Sequence, residues 1–249
     1  LMWSRLANVA EEMWSTVCRT AFSLVISEAQ DFACDLLDTK GDTLAHSARA
    51  MPVFNLTLPR AAKALIAEFP VETLQPGDVL VTNDPWECAG HLFDVVVVTP
   101  VFFEGRVVAL TGTVGNVIDI GGSKDYLRAR EVYDEGFQIP PMKLFDAGKP
   151  DATFFRLFAK NVRLADQVIG DLHSLVAANE LGARRLADFM RDYGLRDLDA
   201  LATAIQRRSE AAVRSAIAAI PDGRYHAEIR SNPRGNAIRY DLEVVVDGD

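Results

Sequence analysis

The sequence predicts an α+β fold, with a central, mainly antiparallel sheet, an N-terminal helix before it and a helical block after residue 150. Apolar residues recur at helical spacing over residues 2–22, β-formers crowd into three runs between 77 and 114, and helical periodicity returns from about 151. Strands and helices in blocks, rather than in strict alternation, favour α+β over a doubly wound parallel sheet.

Leu6, Val9, Met13, Val17 and Phe22 form the stripe of the first amphipathic helix. "DFACDLLD" and "DTLAHSA" then flank "TKG" as a hairpin, in which Gly41 supplies the positive φ of a tight connection. Residues 57–69 read as a helix with Pro59 near its start and Pro70 at its end. "GDVLVTN", "FDVVVVTPVFF" and "RVVALTGTV" are strands, the last two joined by "EG". Helices follow at 151–163, 166–193 and 197–219, with Gly194 and Pro221 as boundary residues, and strands return at 224–230 and 237–247. Three regions result: a mixed α/β region over 1–150, a helical region over 151–221, and the start of a further β region over 222–249. Leu1 is not a start residue and "VVVDGD" stops on a turn signal without its return strand, so we expect a piece of a longer protein.

Composition narrows the function classes. The 249 residues are 49% hydrophobic and 24% charged, an ordinary globular balance. A net charge of -9 with no basic stripe argues against a nucleic-acid surface, because phosphate binding draws on clustered Lys and Arg. Basic residues in "ARRLADFMRDYGLRD" alternate with acids, as on a solvated or subunit-facing helix. Apolar runs are short, such as "VVVV" at 95–98, and fall far below the ~20 residues of a membrane span. Three cysteines without a Cys-x-x-Cys pair fit a reducing compartment, so a cytoplasmic location is expected.

Candidate chemistry gathers where a strand begins, in "TNDPWECAGHLFDVVVV" at 82–98. His91 and Asp94 are three apart, as are Asn116 and Asp119 in "GNVIDIGG" beside the next strand. Residues three apart face opposite sides of an extended strand, so convergence needs bends, for which Gly90 and Gly121–Gly122 are placed. Aligned by the hairpin, these groups would offer an imidazole, two carboxylates and an amide, a mixed N/O set suited to Mn, Zn or Fe. The competing reading is turn chemistry, since Asn and Asp are common turn residues and Asp84-Pro85 starts a turn by itself. Asp84 and Glu135 are candidates to orient ligands or move protons, or else solvated or capping carboxylates. Cys88, three before His91, is either a fourth ligand favouring zinc or a lone buried thiol. His173 inside a helix reads as a core or interface residue. "GGSK" at 121–124 is too short to be a phosphate loop, and no GxxxxGK is present.

The run from "TNDPWECAGHLFDVVVV" to "GNVIDIGG", followed by "EVYDEGFQIPPMKL" and joined by "RTAFS", "DFACDLLD" and "GDLHSLVAANELG", resembles the hydantoinase B/oxoprolinase family, to which acetone and acetophenone carboxylase large subunits are also similar. The resemblance covers the N-terminal half of a typical member. It implies the B-type subunit of an ATP-dependent cyclic-amide hydrolase, heteromeric with a hydantoinase A-like subunit that binds ATP. The alternatives are a subunit of an ATP-dependent ketone carboxylase, or a silent structural subunit without metal. The resemblance also implies a divalent metal, Mn or Zn, held by His91, Asp94 and the residue at 116, assisted by Asp119. Position 116 is Asn where metal-bearing relatives carry His, and "MPVFNLTLP" has Phe54 where relatives commonly show a His. The amide at 116 weakens the expected metal site, and the two departures together suggest a divergent substrate or a subunit that has lost chemistry.

Overall fold

The computed structural model describes residues 1–123, 128–232, 235 and 237–248. Seven strands form one antiparallel sheet in the order β2-β1-β5-β4-β3-β6-β7. They are β1 (Phe32–Leu37), β2 (Thr43–His46), β3 (Val79–Thr82), β4 (Asp94–Phe103), β5 (Arg106–Asn116), β6 (Met142–Asp146) and β7 (Lys149–Pro150). The expected α+β class and antiparallel sheet are observed.

Helices cover both faces. On one lie α1 (Met2–Thr20) and α6 (Ala165–Tyr193), which pack on each other, α6 against β4 and β5 and α1 against β1 and β2. Thr111 and Thr113 of β5 donate hydroxyl hydrogen bonds to the Asn179 and Leu175 carbonyls of α6, at 3.1 and 3.4 Å. Asn179 Nδ2 returns one to the Val97 carbonyl at 3.0 Å. The α1 face is completed by Trp14 stacked on Phe32, with ring centroids 5.3 Å apart. On the opposite face α3 (Phe54–Glu68) inserts Leu58 and Leu65 among Ala33, Leu37, Val96, Val98, Leu110 and Val114. Alternate residues of β4 and β5 thus feed two cores, and both strands read as nearly unbroken apolar runs.

Three local features depart from expectation. The helix expected at 57–69 starts at Phe54, so Pro59 is its sixth residue rather than near its start. Phe54 is 1% exposed, and backbone bonds from Phe54 to Met51 and from Asn55 to Pro52 wind the chain early enough to bury it. Strands β6 and β7 carry little periodicity of their own, because β6 is short and follows Pro140–Pro141. Two single-turn helices, α2 (Leu24–Ser27) and α4 (Val132–Glu135), are also additions to the expected set. Gly41 has the positive φ, 83°, that its hairpin requires.

The chain forms two compact units, Leu1–Ala202 and Thr203–Asp249. In the first unit α5 (Ala152–Asn161) packs on α6, and α6 on the sheet. The second unit holds most of α7 (Asp199–Ala218) and the hairpin β8 (Gly223–Ser231) with β9 (Ile238–Val246). Among the described residues, no helix is long and apolar enough to cross a membrane.

Candidate functional site

The site lies where β4 begins and β5 ends, and a bulge sets its register. The hairpin closes at Phe103↔Arg106, and a regular ladder from there would put Gly115 opposite Asp94. A one-residue irregularity between Val101 and Phe102 advances β5 by Val108 and places Asn116 opposite Asp94 instead. Asn116 Nδ2 then donates to Asp94 Oδ1 at 2.9 Å. His91, in the loop before β4, folds back so that its Nε2 lies 2.7 Å from Asp94 Oδ2 and 3.4 Å from Asn116 Nδ2. The Asp94 side chain is 4% exposed and that of His91 32%, so a buried carboxylate holds a partly open imidazole. The hydrogen bond to Asp94 outweighs burial and raises the His91 pKa above the ordinary imidazole value, with Glu135 and Asp31 adding to the rise.

Asp31 completes a row across three strands. Asn116 N donates to its carbonyl at 2.9 Å, and Asp31 stands two residues before Ala33, which packs in the α3 core. Burial, and next the charge of Asp94, raise its carboxyl above the usual carboxylate range. Local sequence gives no sign of Asp31, because its approach to the site depends on the non-local pairing of β1 with β5.

The loops are braced by Asn83 and Glu135, which grip one peptide residue from both sides. Leu92 N donates to Glu135 Oε2 at 2.9 Å, and Asn83 Nδ2 donates to the Leu92 carbonyl at 2.7 Å. Fully buried, Asn83 also donates to the Phe137 carbonyl at 3.0 Å and accepts from Ile139 N at 2.6 Å. Its hydrogen-bonding capacity therefore goes into fixing the His91 loop against the Glu135 loop. Gly136, at φ 146°, lets the latter run against the Ile120 carbonyl, where any Cβ would overlap it.

The remaining expected residues stand elsewhere. Asp119 does not join the His91 group, because Arg163 captures it: Nη1 lies 2.8 Å from Asp119 Oδ1, and the Arg163 and Leu164 amides donate to Oδ2. Asp84 acts as a turn residue, its Oδ1 accepting from Trp86 N at 2.9 Å. Cys88 is a core thiol donating towards the Thr82 carbonyl at 3.9 Å, and burial pushes its pKa up to about 12. His173 stacks on Phe155 with ring centroids 5.5 Å apart, as a packed residue. Of "GGSK", Lys124 lies outside the described residues.

A divalent metal does not fit the donors as they are arranged. His91 and Asp94 are bonded to each other, Asn116 presents Nδ2, a donor, to both, and Asp119 is neutralised by Arg163. No three His, Cys, Asp or Glu side chains among the described residues are grouped to hold a metal, whereas zinc sites draw on three or four protein ligands.

The chain is 32% identical over 256 residues to the putative B-type subunit of a D-/L-hydantoinase from Pseudomonas sp. strain NS671, covering 98% of this chain and 43% of that protein. Its structure superposes on an ATP-dependent caprolactamase from Pseudomonas jessenii with a TM-score of 0.88 at 28% identity, over 100% of this chain and 44% of that one. It shares its fold with a nucleotide-free acetone carboxylase structure, at TM-score 0.83 and 17% identity, over 97% of this chain and 34% of that one. The chain therefore spans less than half the length of these relatives. Since the Hydantoinase B/oxoprolinase family model matches residues 1–249, the whole sequence given, the chain belongs to the hydantoinase B/oxoprolinase family.

Proposed function

We propose that this chain belongs to the B-type subunit of an ATP-dependent cyclic-amide hydrolase and works with an ATP-binding A-type subunit. One observation supports this above the rest: in a family whose similar members include a hydantoinase subunit and a caprolactamase, a buried carboxylate, Asp94, bridges His91 and Asn116 in the manner of a general-base dyad. With the amide carbon activated by ATP on the partner, neutral His91 takes a proton from the water that adds to that carbon. The resulting imidazolium is stabilised by Asp94, whose second oxygen is fixed by Asn116. As the C–N bond breaks, His91 returns the proton to the leaving nitrogen, and a second water cleaves the remaining acyl phosphate to carboxylate and inorganic phosphate. Asn83 and Glu135 hold the loop that carries the imidazole. Likeness to the acetone carboxylase extends to fold alone, so a lactam is preferred to a ketone as substrate.

The test is ATP turnover by the co-purified complex with a lactam or hydantoin, or with a ketone and bicarbonate. Ring opening stimulated by the lactam, and lowered about 10²-fold by His91→Ala, is expected. Stimulation by ketone and bicarbonate alone transfers the chain to the carboxylases, and no stimulation by either from an intact complex leaves a structural subunit. On the same sample, plasma mass spectrometry should find less than about a tenth of an equivalent of transition metal, whereas a full equivalent lost in His91→Ala would reinstate a metal centre.

A further inference from the structure

Beside the His91 loop opens a cleft of about 390 Å³ whose walls include Pro85, Trp86, Gly90, Arg130, Glu131 and Glu135. It adjoins the site through two residues, since Gly90 precedes His91 and Glu135 holds the amide of Leu92. The Trp86 side chain contributes nothing to the core at 79% exposed, although Asp84 pins its backbone amide. An indole displayed on a cleft wall and backed by a proline is a platform for a flat apolar ring. The charged residues lining it are Glu131, Glu135 and Arg130, and the whole sequence carries -9, so the balance of charge opposes an anion.

We propose that this cleft seats the ring of an uncharged cyclic amide on Trp86, and that its acidic rim discriminates against lactams bearing a carboxylate. The proposal rests on the hydrolase reading and narrows its substrate class to hydantoins and unsubstituted lactams, away from 5-oxoproline.

Binding to the full chain without ATP or partner, followed by ligand-observed NMR titration, tests the cleft independently of turnover. The probes are 2-pyrrolidinone and 5-oxoproline, which share a ring and differ by one carboxylate, together with hydantoin. The uncharged rings should bind about fivefold or more tightly than 5-oxoproline, and Glu131→Gln should narrow that gap. Trp86→Ala should weaken the uncharged rings up to about tenfold, while Trp86→Phe keeps most of the affinity. Because Trp86 is exposed, both variants are expected to melt like the parent, which thermal unfolding checks. Unchanged binding in Trp86→Ala, equal or tighter binding of 5-oxoproline, or no binding of any probe overturns the proposal. A complex that opens lactams with unaltered KM in Trp86→Ala removes the cleft and leaves the hydrolase. Cleft binding without any ATP-dependent turnover does the reverse.

Discussion

At the residue scale the chain contains two buried carboxylates with different partners. Asp94 has partners for both oxygens and transmits its charge to His91. Replacing it by Asn removes the largest cause of the raised His91 pKa and leaves burial as the main opposing influence, so the imidazole midpoint should fall. NMR titration of the four histidines, with His91→Ala for assignment, reads this directly; a midpoint unmoved in Asp94→Asn would show that the pair does not form in solution. Since the His91 pKa is raised on folding, the stability it lends is complete below the ordinary imidazole range and is lost as pH rises through the raised value. Asp35 behaves differently. Its Oδ2 accepts from Thr43 Oγ1 at 3.2 Å, its Oδ1 has no partner, and burial pushes its pKa up to about 8. Between pH 4 and 8 the unfolded chain gives up this proton while the folded chain keeps it, so stability drops as pH rises and levels off above 8. Asp35→Asn cannot ionise, and its margin over the parent should widen from pH 5 to pH 8 by an amount on the order of a few kcal/mol. Urea unfolding at the two pH values measures the margin, and a margin independent of pH would mean that Asp35 is already ionised in the fold.

At the element scale the site is made by two backbone devices, the Val108 bulge and the contact between the 120–122 and 134–137 loops. Phe137 N donates to the Ile120 carbonyl at 2.8 Å, and Ser123 N to the Asp134 carbonyl at 2.8 Å. Gly136→Ala would place a methyl group on the Ile120 carbonyl at a φ that L-residues rarely adopt, and should cost about 1–3 kcal/mol in denaturant unfolding. Because the strain is relieved by moving the loop that carries Glu135, the His91 pKa should fall with it; full stability in Gly136→Ala would show that the loops are not pinned. These devices mark what was legible in the sequence. The β4 and β5 runs and the "EG" turn followed from composition, whereas the spacing of His91, Asp94 and Asn116 made them candidates without fixing that they meet. The bulge did not, because Val108 looks like any other residue of an apolar run, and without it Gly115 would stand opposite Asp94. Asp119 misled for the same reason: Arg163, its partner, is 44 positions away, and local spacing carries no trace of that pairing. Asn83 is the clamp between two loops, a role visible only once both loops are in place.

At the scale of the whole molecule stability is unevenly distributed. In the unit Leu1–Ala202 the sheet is covered on both faces, and β4 and β5 are buried along most of their length. The hairpin β8–β9 in the unit Thr203–Asp249 is two-stranded and exposed along nearly all of both strands. Its register separates the faces: Tyr225, Ile229, Tyr240, Leu242 and Val244 fall on one, while Arg224–Glu243, His226–Asp241 and Arg239–Glu228 ion pairs line the other. Exposed ion pairs each contribute only about 0–1 kcal/mol, and a lone two-stranded ribbon is marginal in water. Native-state hydrogen exchange of this chain should therefore release the β8–β9 amides by local opening, orders of magnitude before those of β4 and β5, which wait for global unfolding. Equal protection would mean that the apolar hairpin face is covered in solution. Adding a binding partner and finding the β8–β9 amides newly protected would identify the face as the place where that partner docks.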